Sequence, residues 1–127
     1  MNKIFQHIQW YWPVLLMVLI FIESSIPMDG GPHNITFLTN LDPDLQNLLH
    51  IPLYGVLSFL WVKLFLRTRR QEWPVKYIVG FSLIITVCYG CFDEFHQSFV
   101  PGRYGGLLDI YLDAGGAVLG VMLGLKF

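Results

Sequence analysis

Apolar residues fill four stretches of the chain, and polar residues are confined to the intervals between them and to one end of each stretch. The first runs from about Trp10 to Ile26 around "PVLLMVLIFI", the second from about Leu45 to Leu66, the third from about Val75 to Phe99 and the last from about Gly106 to Leu125. Each is close to the roughly 20 apolar residues that cross a bilayer as a helix. The pattern predicts an all-α, four-transmembrane-helix bundle formed by residues 1–127 as one domain. The interval "PMDGGPHNITFLTNLDPD" is dense in Pro, Gly, Asn and Asp and reads as an irregular loop with room for a short interfacial element. The other two connections are short, which favours antiparallel neighbours. "ESSIPMDG" lacks the small-x-small pattern of a cleavage site, so the first stretch reads as a span and not as a signal peptide.

Composition supports this reading. The chain is 54% hydrophobic and 13% charged, with a mean hydropathy of +0.54; soluble domains carry about 25% charged residues. A net charge of −1, with no basic arm and no zinc-finger spacing, argues against a nucleic-acid partner. Cys88 and Cys91 form a C-x-x-C inside an apolar run without the βαβ context of a redox pair, and they read as packing thiols.

Charge placement adds an orientation. Lys and Arg in short loops favour the cytoplasmic side. An inside N-terminus puts Lys3, Lys63, Arg67, Arg69, Arg70, Lys76 and Lys126 at the inner face and leaves Arg103 alone outside. Both termini are then expected to be cytoplasmic, with Trp10, Trp12, Trp61 and Trp73 near the inner interface.

With that orientation every acidic residue except Glu72 falls in the outer loops or outer helix halves. A rise of about 1.5 Å per residue places Glu23, His50, Asp93 and Asp113 about 5 to 12 Å below the outer end. Ionisable groups at such depth cost free energy and face a bundle interior or a water-filled cavity. On the third span, a turn of about 100° per residue gathers Asp93, Glu94, His96 and Gln97 on one arc, opposite Phe92, Phe95 and Phe99. On the fourth, Asp109 and Asp113 share a face, continued by Gly116, Gly120 and Gly124 as a ridge that admits a close helix neighbour. "VPGR" is a turn that is expected to return Arg103 over Asp93, Glu94 or Asp109, where a guanidinium can neutralise carboxylates or bind an anion.

"SSIP", "LLHIPLYGVL" and "DEFHQSFVPGRYGGLLDIYLDAGGAVLG" together resemble the VanZ-like family of small bacterial integral membrane proteins. The resemblance covers essentially the whole chain and implies a multi-pass protein of the bacterial cytoplasmic (inner) membrane. It also implies a context of resistance to the glycopeptide antibiotic teicoplanin. Ser24, Ser25, His50, Tyr54, Asp93, Glu94, Gln97, Arg103 and Asp109 match its pattern. The chain departs from it at Gln46-Asn47, where the family often has Asp-Lys, and at Asp113, where it often has Asn. These departures make the outer site more acidic and weaken a case for anionic ligands.

The candidate polar site comprises Glu23, Ser24, His50, Tyr54, Asp93, Glu94, His96, Gln97, Arg103, Asp109 and Asp113. One function that fits is a non-enzymatic resistance or envelope-protection factor binding a lipid-linked or peptide-like ligand at the outer leaflet. A second is a membrane-embedded enzyme acting on a lipid-linked envelope substrate, since His with carboxylates supplies acid/base groups. A third is an accessory subunit of a larger membrane complex. His and carboxylates are also plausible ligands for a divalent ion, but no H-E-x-x-H or comparable spacing occurs, so no metal ligand and no cofactor is assigned from sequence.

Overall fold

The computed structural model describes residues 8–29, 43–68 and 73–127. Lys3, Arg69, Arg70, Glu72 and most of the long first loop lie outside the described residues. Those described form helices and no strand: α1 (Tyr11–Ser24), α2 (Pro43–Leu48), α3 (His50–Thr68), α4 (Val75–Gln97) and α5 (Leu107–Lys126). Leu45–Thr68, Val75–Gln97 and Leu107–Lys126 are long and apolar enough to cross a membrane, and Tyr11–Ser24 is a shorter apolar helix.

Helix boundaries follow local chemistry. Pro13 sits in the first turn of α1, where a missing N–H leaves no bond unmade. At the other end Ser24 and Ser25 fold their hydroxyls back onto the Phe21 carbonyl, at 3.1 and 2.6 Å, and Pro27 follows. The expected second span is divided at Leu49. Pro52 explains the division, because it cannot donate to the carbonyl four residues earlier and its ring crowds that carbonyl. Between α4 and α5 the Arg103 amide bonds the Val100 carbonyl at 3.1 Å. Gly102 takes φ +77°, so Pro101-Gly102 makes a turn with Pro at its second position and Gly at its third.

The packing centre is the α3–α5 pair, with α4 against both and α1 more peripheral. Glycine sets the α3–α5 distance. A Cβ on Gly116 would strike the Ile51 carbonyl, and one on Gly120 would strike the Gly55 carbonyl. The ridge therefore serves helix packing, with backbone against backbone. The chain ends alternate: Arg67 donates to the Ile8 carbonyl at one end of the bundle, and Met28 bonds Pro101 at the other.

Two small apolar clusters fill the interior, Ile20–Tyr54–Leu57 and Val62–Ile78–Val121. The outer surface is apolar. Phe92, Phe95 and Phe99 are 51%, 66% and 72% exposed, whereas Asp93, Glu94 and Gln97 are buried, which is the arrangement a lipid-facing bundle requires. Cys88 and Cys91 are free thiols on the exposed side of α4, and Thr86 and Gly90 take the inward positions of that stretch. Lys63, counted with the inner-face cations, is buried, with its ammonium 5.5 Å from the Phe59 ring. Its long stem lets it cover apolar surface from a mid-helix position.

Gly120→Val is expected to lower the melting temperature in detergent, at a cost of about 1–3 kcal/mol or more, because no side chain can yield to the added methyls. Gly115, with open space around its would-be Cβ, is the control. Gly115→Ala should leave stability unchanged or raise it by up to about 1 kcal/mol through helix propensity. Equal losses at both positions would refute a specific α3–α5 contact.

Candidate functional site

The polar residues meet where the C-terminal ends of α1 and α4 lie beside the N-terminal ends of α3 and α5. Arg103 closes this end from above. Its guanidinium donates to the Glu23 carboxylate at 2.7 Å, the Glu23 carbonyl at 2.7 Å and the Ile26 carbonyl at 3.2 Å. This corrects the expectation that Arg103 neutralises Asp93, Glu94 or Asp109. The carbonyls at the end of α1 draw the planar fork, since the last carbonyls of a helix lack i+4 amide partners, and the Glu23 carboxylate completes the set.

Beneath Arg103, α3, α4 and α5 each supply polar groups. Tyr54 stacks on His50 with nearly parallel rings and donates to Asp93 at 3.1 Å. Gln97 donates to the same oxygen of Asp93 at 3.2 Å. Ser24 is buried against this carboxyl. His50 Nδ1 lies 2.8 Å from Asp113 and 3.7 Å from Glu94. Glu94 also accepts from the Gly106 amide at 3.1 Å, and the close run of the chain at Gly105 permits that contact.

Despite these bonds, one oxygen of each of Asp93, Glu94, Asp109 and Asp113 is buried without a hydrogen-bond partner among the described residues. Buried acceptors of this kind are costly unless something else meets them. A cavity of about 450 Å³ opens beside the cluster, lined by Glu23, His50, Tyr54, Asp93, Gln97, Arg103 and Asp109. Ile20, Met28, Leu49 and Leu53 form its apolar wall, and Gln46, Asn47 and Tyr104 complete the rim.

Ten of the eleven candidate residues thus lie in or against one cluster; His96 does not. It stacks on Phe21 and pairs with Ser25 at 2.9 Å, because its place at the edge of the α4 arc faces α1 and not α3 or α5. Sequence reasoning missed Gly90. A Cβ there would come 2.7 Å from an Asp113 oxygen, so any larger residue would push that carboxylate out of its present place. It also missed that His50, Glu94 and Asp113 bring ligand-type atoms within 4.8 Å of one another. Three helices contribute them, so no spacing within one helix announces the group.

The VanZ/LLP1 family model matches residues 9–126, nearly the whole chain, and the protein belongs to that family. No curated protein and no solved structure matches it.

Arg103→Ala should destabilise the protein by about 1–3 kcal/mol, since it strips partners from two carbonyls and a carboxylate. Glu23→Ala should cost under about 1 kcal/mol, because Glu23 is 41% exposed and the pair is screened. In a thermal double-mutant cycle, coupling is expected between Arg103 and Glu23 and none between Arg103 and Asp109. Arg103→Lys should recover only part of the loss, because an ammonium lacks the fork. Coupling to Asp109 alone would contradict the observed pairing.

Proposed function

We propose that this VanZ/LLP1 family member is a multi-pass protein of the bacterial cytoplasmic membrane with both termini inside. In this reading it protects the envelope by holding the polar head of a lipid-linked or peptide-like ligand in the extracytoplasmic leaflet. The observation that carries the proposal is the cavity of about 450 Å³ beside buried, unpartnered oxygens of Asp93 and Asp109. Ligand pockets commonly measure about 300–1,000 Å³ and combine apolar walls with a few placed polar groups. Here the lining combines aliphatic side chains (Ile20, Leu49, Leu53) with polar ones (His50, Tyr54, Asp93, Gln97, Asp109), a mixture suited to an amphiphile.

The chemistry of the acceptors restricts the ligand. Arg103 spends its Nε and Nη2 donors on Glu23 and two carbonyls, so the Nε–Nη2 edge of its fork is taken up within the protein. Hydroxyl, amide or ammonium groups, as on a sugar or a peptide head, match oxygens that lack donors. An apolar exterior and the distribution of Lys and Arg support the membrane placement and its orientation.

Two measurements test the reading. In a Cys88→Ser, Cys91→Ser background, single cysteines at 29–42 and 101–105 should react with an impermeant maleimide in intact cells. Those at 67–73 should react only after lysis. The reverse pattern would put the cavity on the cytoplasmic side and overturn the placement. Cells carrying the protein should survive a glycopeptide antibiotic better than cells without it. Asp93→Asn and Gln97→Ala should abolish the difference while remaining folded in the membrane, and Gly115→Ala should preserve it. Retained protection in both cavity variants would refute a role for the pocket.

A further inference from the structure

We infer that His50, Glu94 and Asp113 form a binding site for a divalent first-row transition-metal ion of the Mn²⁺ or Zn²⁺ kind. This inference goes beyond the ligand pocket and does not depend on it. The geometry is close to what an ion needs. Metal–ligand bonds of about 2.1 Å put neighbouring donors about 3.0 to 3.4 Å apart. His50 Nδ1 stands 2.8 Å from Asp113 and 3.7 Å from Glu94, and one donor atom from each residue fits within 4.8 Å.

The second observation is independent of that clustering. Glu94 Oε1 and Asp113 Oδ2 are buried without hydrogen-bond partners, in side chains only 4% and 1% exposed. Oε1 is the Glu94 oxygen directed at His50. Carboxylate oxygens taken out of water need a cation, a donor or a proton. Arg103 is committed to Glu23, and His50 is the basic group that faces the carboxylates of Glu94, Asp109 and Asp113. A divalent ion would satisfy the unpartnered oxygens together.

The donors are also held in place from behind, as metal ligands usually are. The Gly106 amide fixes the other Glu94 oxygen at 3.1 Å. Gly90 leaves room for the Asp113 carboxylate. Tyr54 stacks against the His50 ring. One imidazole with two carboxylates suits Mn²⁺, Fe²⁺ or Zn²⁺ better than Cu⁺ or Ca²⁺. Three protein ligands leave at least one position open, and His50 and Asp109 line the cavity into which it would face.

Elemental analysis after chelation, reloading with Mn²⁺ or Zn²⁺ and dialysis should find one ion per chain in the detergent-purified protein. His50→Ala, Glu94→Gln and Asp113→Asn should each weaken binding by at least ~100-fold, beyond the 10–100-fold typical of outer-shell changes. His96→Ala should bind as wild type. Because a ligand variant can fail to fold, pulsed EPR on the Mn²⁺-loaded wild type supplies a second readout and should show coupling to one imidazole nitrogen. Less than stoichiometric uptake, a manganese spectrum without nitrogen coupling, or equal binding in the three variants would each overturn the site. All of these are read without any envelope ligand, so failure of the protection assay leaves them unaffected.

Discussion

The separation of α3 and α5 is the constraint on which the polar layer depends. Gly116 and Gly120 place the α5 backbone against the carbonyls of Ile51 and Gly55, at a distance that no residue with a side chain would allow. One turn further toward the polar end, that spacing brings Asp113 within 2.8 Å of His50. If the helices stood farther apart, side chains of this length would no longer meet. The contact has no hydrophobic driving force in lipid, so it rests on close packing and on the polar pairs it makes possible. Gly90 does the same for α4, admitting the Asp113 carboxylate where any Cβ would collide with it.

Given that geometry, the polar end of the bundle has an unusual charge balance. Asp93, Glu94, Asp109 and Asp113 are all buried, while the Arg103 guanidinium is drawn to the end of α1. Arg103 thus acts as a clasp: it ties the turn between α4 and α5 to α1, which packs less closely on the other long helices than they do on one another. The clasp and the acidic layer are separate devices stacked at one end of the molecule. Arg103 anchors the end of α1, whose Ile20 and Glu23 line the cavity, and its hydrogen bonds leave the carboxylates beneath to other partners.

The sequence revealed much of this fold because lipid makes strong demands. Four apolar stretches, a one-sided polar arc on the third and a glycine ridge on the fourth all follow from the need to hide backbone and charge from hydrocarbon. Asp93 and Gln97 inside, with Phe95 and Phe99 outside, could be read from angle alone. Partner identity could not. Arg103 stands six residues from one expected carboxylate, Asp109, in a turn whose path is set by Gly102, and only the fold shows that the turn reaches α1. His96 shares the arc of Asp93 but sits at its edge, where a rotation of a few tens of degrees decides which neighbour it meets. The break at Leu49 was legible in principle from Pro52, yet the apolar residues on both sides of it, Leu45, Leu48, Leu49 and Ile51, read as one continuous span.

Asp113 links the family pattern to what is particular here. In the sequences this chain resembles, the position often carries Asn, an amide that can donate to a neighbouring carboxylate as well as accept from His. Asp in its place can only accept when ionised, and the structure gives it one donor, His50, with its other oxygen unpartnered. The substitution therefore removes a donor from a layer already short of donors. Such a change is tolerated in a buried site when a cation or a shared proton replaces what was lost. Three carboxyl groups face one imidazole in this layer, with Gly90 leaving room for one of them, so either a cation or shared protons must balance the charge that His50 alone does not.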